Sequence, residues 1–220
     1  MYLQTRGFTM NVLLMGGGMD SYAVLLYLVE KGVKVVCVHV DYGQTSAKAE
    51  RAACKGQISY VKDKYKVPLD LVELDDKFLI YHLNPHGSYL FGHETASPEL
   101  KGRNLVLFLR AVCVAGYNGR IYLGLDKPYN GGEPFKDCVL PFFKDAIKMI
   151  DRPDIEVIAP FINMDKQNVV TWAYHRDSEF LDRTMSCWDA RLDKYDDVVE
   201  CGVCKHCKTK KELKEGLAHV

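Results

Sequence analysis

Residues 15–21 read Met-Gly-Gly-Gly-Met-Asp-Ser, and no other stretch restricts the fold as strongly. An apolar run, NVLLM (11–15), precedes the glycines, and DSYAVLLYLVEK (20–31) follows with apolar residues at helical spacing up to Gly32. A short apolar run reads as a buried strand. Glycine is a natural helix stop. The unit is therefore strand, glycine loop, helix. Three ordered glycines cost backbone entropy, so the backbone there must come close to something. Bare N–H groups at a helix N-terminus form an anion site. Gly16, Gly17 and Gly18 would let phosphate oxygens reach the amides, and Ser21 adds a hydroxyl donor. Asp20 cannot bind phosphate directly but can hold a magnesium ion or an N-terminal amide. No Gly-Lys-Ser/Thr follows, and the spacing is not G-x-G-x-x-G, which disfavours a γ-phosphate or dinucleotide site.

Further strands and helices alternate along the chain. VKVVCVHV (33–40), LDLVEL (69–74), RIYLGL (120–125) and residues 155–158 read as strands. Residues 46–65, 104–117, 134–150 and 165–175 read as helices, with a last helix beginning near Cys207 and a long loop over 80–102. Alternation of this kind predicts an α/β fold, a parallel five-stranded sheet with helices on both faces. Ligands bind beyond the carboxyl ends of such strands. The glycine run, DYGQ (41–44) and LDKPYNGG (125–132) each follow a strand and should converge on one cleft. Asp41 and Gln44 are candidates there.

The C-terminal cysteines carry the second signal. Cys187, Cys201, Cys204 and Cys207 are spaced C-x13-C-x2-C-x2-C. Four thiolates suit a closed, structural tetrahedral zinc site, and Gly202 relieves the turn between two of them. The spacing also resembles an iron–sulfur run, without its downstream Cys-Pro. His206 is a substitute ligand of lower standing. Cys37, Cys54 and Cys113 are expected to be buried, inert thiols. The metal-bearing tail divides the chain into a nucleotide-binding domain (10–180) and a zinc subdomain (181–220), with residues 1–9 irregular.

Lysine plus arginine equals aspartate plus glutamate, 29 each, so no net charge draws the chain to nucleic acid or membrane. The basic CKHCKTKKELK segment reads as a solvated helix face, which disfavours RNA binding. No signal peptide or membrane-spanning run is evident, so a cytoplasmic protein is expected. A homodimer is left open.

Taken together, the motifs resemble a known family. MGGGMDS resembles the PP-loop of the ATP pyrophosphatase superfamily, whose fold is adenine nucleotide alpha hydrolase-like. HVDYGQ, GRN, DCVLPFF, IAPFINMDK and TMSCW before CGVCKHCK occur in the order seen in the 7-cyano-7-deazaguanine synthases. The resemblance runs from about residue 11 to residue 217. It implies that Gly16 to Ser21 cradle ATP, with Asp41 and Gln44 facing nucleotide and active site. It places Arg103 and Asn104 by the reacting carboxylate or the phosphates, and Lys166 on phosphate charge. Asp137 would accept the guanine-like N–H edge, and Cys138 has no implied role. His39, alternating inside a strand, is expected to be structural.

The resemblance also implies the chemistry. ATP and magnesium activate the carboxylate of a deazaguanine substrate, ammonia gives the amide, and a second adenylation leaves the nitrile. Three features depart from the family. Gly16 stands where it has serine, Val139 where it has arginine, and Thr45 and Ser46 where it commonly has a histidine-containing segment. Lys127 or Lys136 would supply the missing charge. Two alternatives stay open: a member that stops at the amide or passes the acyl group to another amine, and a nucleotide-binding protein without catalysis.

Overall fold

The computed structural model describes residues 9–77, 103–127 and 135–217, with the side chains of 135–139 outside that description. β1 (Asn11–Leu14) leads through the glycine run into α1 (Met19–Glu30). There follow β2 (Val36–Asp41), α2 (Ala47–Tyr65), β3 (Asp70–Asp75), α3 (Arg103–Ala115) and β4 (Arg120–Tyr122). Next come α4 (Phe135–Met149), β5 (Glu156–Ile158), α5 (Lys166–Tyr174), β6 (Arg191–Leu192), β7 (Val198–Val199) and α6 (Lys205–Leu217). The expected loop over 80–102 and residues 128–132 of LDKPYNGG lie outside the described residues.

Five strands form one parallel sheet in the order β3-β2-β1-β4-β5. The pleat sorts side chains onto two faces. Leu13, Cys37 and Tyr122 pack with α1, α2, α5 and α6, whereas Val12, Val38, Ile121 and Val157 pack with α3 and α4. Helices therefore cover both faces. β1 is flanked by β2 and β4, so the chain order reverses beside it. That reversal opens a crevice at the strand ends. The glycine run after β1 and residues 123–127 after β4 both lie there.

Two strand boundaries moved for identifiable reasons. The run starting at Val33 becomes strand only at Val36, because Gly32 and Val33 donate to Val29 and Leu28 and finish α1. The run at 120–125 stops at Tyr122, where the chain turns and the Leu125 N–H bonds the Leu123 carbonyl. The antiparallel β6–β7 pair was not expected. Its turn is closed by Asp193, whose carboxylate accepts from Tyr195 and Asp197 N–H groups. Cys113 is a correction. Phe108, Ala111, Val112 and Ala115 make the buried stripe of α3, and Cys113 falls off that stripe and is exposed. Cys37 and Cys54 are buried as expected, and burial pushes the Cys37 thiol up to about 12. Among the described residues, no helix is long and apolar enough to cross a membrane.

Candidate active site and metal centre

The glycine loop is built by close approach. Gly17 has φ of +72°, and a Cβ there would lie 2.8 Å from Ala53 Cβ and 2.9 Å from the Glu50 carbonyl. Both counts require glycine. Its carbonyl is held from two sides, by Gln57 Nε2 at 2.7 Å and by the Met185 N–H at 2.9 Å. Gln57 is fully buried, and Nε2 also donates to the Arg183 carbonyl at 2.9 Å. That carbonyl is thereby anchored immediately before the start of α1. Gly18 caps α1 in extended conformation with no side-chain cap bond. The first N–H groups of α1 are thus free of a side-chain acceptor at the cap, as an anion site requires. Ser21 is buried and its hydroxyl donates to the Gly18 carbonyl at 3.3 Å. Gly16 is different from Gly17, because its nearest neighbour to a Cβ is Glu50 Oε2 at 3.9 Å. A side chain would fit there.

Lys166, the first residue of α5, reaches across to the loop. Its ammonium pairs with Asp20, and with Asp126 Oδ2 at 2.8 Å. Burial works against the lysine charge, but Asp20 and Asp126 outweigh it and raise its pKa above the ordinary value. Asp126 is buried and follows β4, so three elements meet on one cation. Sequence reasoning put Asp126 within the cleft segment LDKPYNGG but did not single it out. Gly124 sets this junction. A Cβ there would stand 2.8 Å from Asp20 C, Asp20 Cβ and Ser21 N, so β4's extension presses directly on the start of α1.

Across the crevice, Asp41 and Gln44 are tied into their own turn. Asp41 accepts from the Gly43 N–H at 3.0 Å and faces Arg51 and Lys77, each at 3.5 Å. Gln44 accepts from the Tyr42 N–H at 2.9 Å and donates to Glu50 at 2.8 Å. Ser46 also bonds Glu50, at 2.7 Å. Arg103 opens α3 and donates to the Tyr42 hydroxyl at 3.3 Å, with its guanidinium 5.9 Å from that ring's centre. Asn104 is exposed and accepts from Arg103 at 3.3 Å. Lys127 is exposed. Asp137 lies in α4, but its side chain and those of Lys136, Cys138 and Val139 fall outside the described residues. His39 is buried under the loop with Nδ1 3.2 Å from the Met15 carbonyl, a structural placement.

The four cysteines converge. Their sulfurs all lie within 4.8 Å of one another. Cys201 and Cys207 sulfurs are 4.0 Å apart and those of Cys204 and Cys207 3.5 Å. A tetrahedral ion with metal–sulfur bonds near 2.3 Å needs sulfurs about 3.8 Å apart, so the donors fit one ion. Backbone N–H groups of Asp189 and Cys201 point at Cys187 Sγ, at 3.3 and 3.2 Å, and that of Cys204 at Cys201 Sγ, at 3.4 Å. Such bonds favour thiolates. They help bring Cys201 down to about 7, the Val203 N–H being the largest cause, whereas burial holds Cys187 up at about 11. His206 does not join the sulfurs, and its ring lies 4.4 Å from that of Trp188. The cluster packs on Ala49 and Ala53 of α2, the helix that also backs the glycine loop.

With the geometry established, comparison with known proteins gives a consistent answer. The family described as "Queuosine biosynthesis protein QueC" matches residues 10–217. A 7-cyano-7-deazaguanine synthase of Campylobacter curvus (strain 525.92) is 27% identical over 90% of this chain and 89% of the relative. One of Chlorobaculum tepidum is 30% identical over 89% of this chain and 87% of the relative. Among solved structures, a 4-thiouridine synthetase–RNA complex with bound ATP superimposes with a TM-score of 0.54 at 14% identity, over 96% of this chain and 50% of that one. That last likeness concerns the fold alone.

Proposed function

This chain belongs to the QueC family of queuosine biosynthesis proteins, and on that premise we propose that it converts 7-carboxy-7-deazaguanine and ammonia to 7-cyano-7-deazaguanine at the expense of ATP. The observation that carries the reading is the convergence of the glycine loop, Asp20, Asp126 and Lys166 at the topological switch point. A carboxylate is a poor electrophile. Its attack on the α-phosphorus of ATP releases pyrophosphate and makes AMP the leaving group. Ammonia displaces AMP and, after losing a proton, leaves the amide. The amide oxygen is adenylated in turn, and loss of AMP and a proton leaves the nitrile.

In this reading the amides of Gly16 to Gly18 and the start of α1 receive the phosphates, where positioning and charge stabilisation do most of the work. Lys166 neutralises charge that develops on departing pyrophosphate. Arg103, with Asn104 beside it, orients the substrate carboxylate, and Asp137 takes the N–H edge of the base. Asp41 and Gln44 shape the nucleotide side of the crevice through the turn they hold. Asp20 and Asp126, the carboxylates that face Lys166 beside the loop, are the residues that would hold magnesium. When bound, that ion would neutralise phosphate charge. The four cysteines would hold zinc as a closed structural site, joining residues 181–220 to the nucleotide-binding residues 10–180. Work on small molecules rather than nucleic acid, in the cytoplasm, completes the reading.

Mass spectrometry of the product with and without ammonium tests it. The nitrile, made only with ammonium, is expected. Accumulation of the amide, or acyl transfer to an added amine, would replace the nitrile reading, and acid that is never consumed would end both.

A further inference from the structure

Trp188 takes no part in the chemistry just described, yet its placement is controlled tightly. It follows Cys187 directly, and its ring meets His206, which lies between Cys204 and Cys207. The ring centres are 4.4 Å apart with planes at 59°. The pair is thus fixed by both ligand-bearing segments. Trp188 nevertheless remains 37% exposed. The segment that delivers it is bonded to the phosphate loop, through Met185 N–H to the Gly17 carbonyl at 2.9 Å, and Met185 O lies 3.5 Å from the Cβ position of Gly18. A partly exposed aromatic ring is thus carried three residues from the point where its own segment is bonded to the phosphate loop.

We propose that Trp188, backed by His206, is the stacking surface for the planar bicyclic base of the substrate, leaving its carboxylate to Arg103. This rests on the substrate class assigned above. An indole offers a large rigid π-face at little conformational cost. Stacking of a base on an aromatic side chain is sequence-tolerant and strong enough to change affinity by roughly tenfold to a hundredfold. The four-cysteine site then has a second task besides tying down the tail, because it sets the height and tilt of this wall.

The test uses the metal-loaded full chain and 7-carboxy-7-deazaguanine. The sequence has two tryptophans, so Trp172→Phe leaves Trp188 as the sole indole fluorophore. Saturable quenching of that fluorescence by the acid is expected. By calorimetry, Trp188→Leu should weaken the acid about tenfold or more while ATP affinity and metal content stay unchanged, and Trp188→Phe should recover most of the loss. Acid binding without quenching, or with equal affinity in Trp188→Leu at full metal content, overturns the stacking role and leaves the proposed reaction standing. If Trp188→Leu loses its metal, the quenching and the Trp188→Phe titration decide. No acid binding by the unmodified protein removes the substrate assignment and the stacking role together.

Discussion

Replacing Gln57 by leucine should loosen the phosphate loop from beneath. Gln57 is wholly buried and its amide nitrogen bridges the carbonyls of Gly17 and Arg183, at 2.7 and 2.9 Å. Leucine nearly preserves the volume and removes both donors. Gly17 keeps the Met185 N–H, so its loss is a weakened bond of about 1 kcal/mol, while Arg183 loses a buried donor at about 1–3 kcal/mol. A partial offset comes from deleting Gln57 Oε1, which finds no donor among the described residues. The net is roughly 2–3 kcal/mol, or a fall in Tm of about 5–10 °C for a chain of this size. ATP affinity should fall with it, since Gln57 anchors the loop through the Gly17 carbonyl. Gln57→Glu should be worse at neutral pH, because it sets a carboxylate against two carbonyl oxygens. Thermal unfolding and ATP calorimetry on the three proteins provide the measurement. A leucine variant with unchanged Tm and unchanged ATP affinity would refute the argument that this amide shapes the loop.

Gly16→Ser should fold normally, since 3.9 Å of clearance surrounds the new Cβ, and should tighten ATP by about 1.5–3 kcal/mol through an added hydroxyl on phosphate. Gly17→Ala meets atoms at 2.8 and 2.9 Å and a positive φ, so calorimetry should find ATP binding lost. Gly124→Ala, pressed 2.8 Å against Asp20 and Ser21, should lower Tm by an overpacking cost of about 1–3 kcal/mol and impair turnover more than overall folding. Stripping the metal with a chelator should lower Tm and weaken ATP as well, because residues 183–187 join the cysteines to Gly17; metal analysis beside calorimetry checks this. A hydrogen bond from Arg152, with help from the Asn118 N–H, brings Asp154 down to about 2. Its folded pKa is depressed, so its stabilisation is complete above the ordinary carboxylate range and lost as pH falls toward 2, and Asp154→Asn should flatten that part of the acid unfolding curve.

The legible parts of this chain were those with a strong local cause. The glycine run and the clustered cysteines gave the loop and a convergence of sulfurs that could hold a metal, because few other structures need those residues at those spacings. The alternation of apolar runs gave the parallel sheet. What was hidden depended on contacts between distant segments. Gln57 looked like one more polar residue in a polar helix, and only its burial against Gly17 and Arg183 gives it a role. Asp126 sat in a segment expected at the cleft, but its pairing with Lys166, some forty residues on, is visible only in the folded chain. Gly124 shows its purpose only against the start of α1. Strands of two residues, as in β6 and β7, are too short to show a period.

The central claim is that the loop after β1 grips the pyrophosphate of ATP while the substrate carboxylate takes the AMP. Its most direct test is chromatographic identification of the nucleotide formed when protein, magnesium ATP, ammonium and 7-carboxy-7-deazaguanine are combined. Acid-dependent release of AMP and pyrophosphate is predicted. ADP and inorganic phosphate, or ATP left whole, would contradict it.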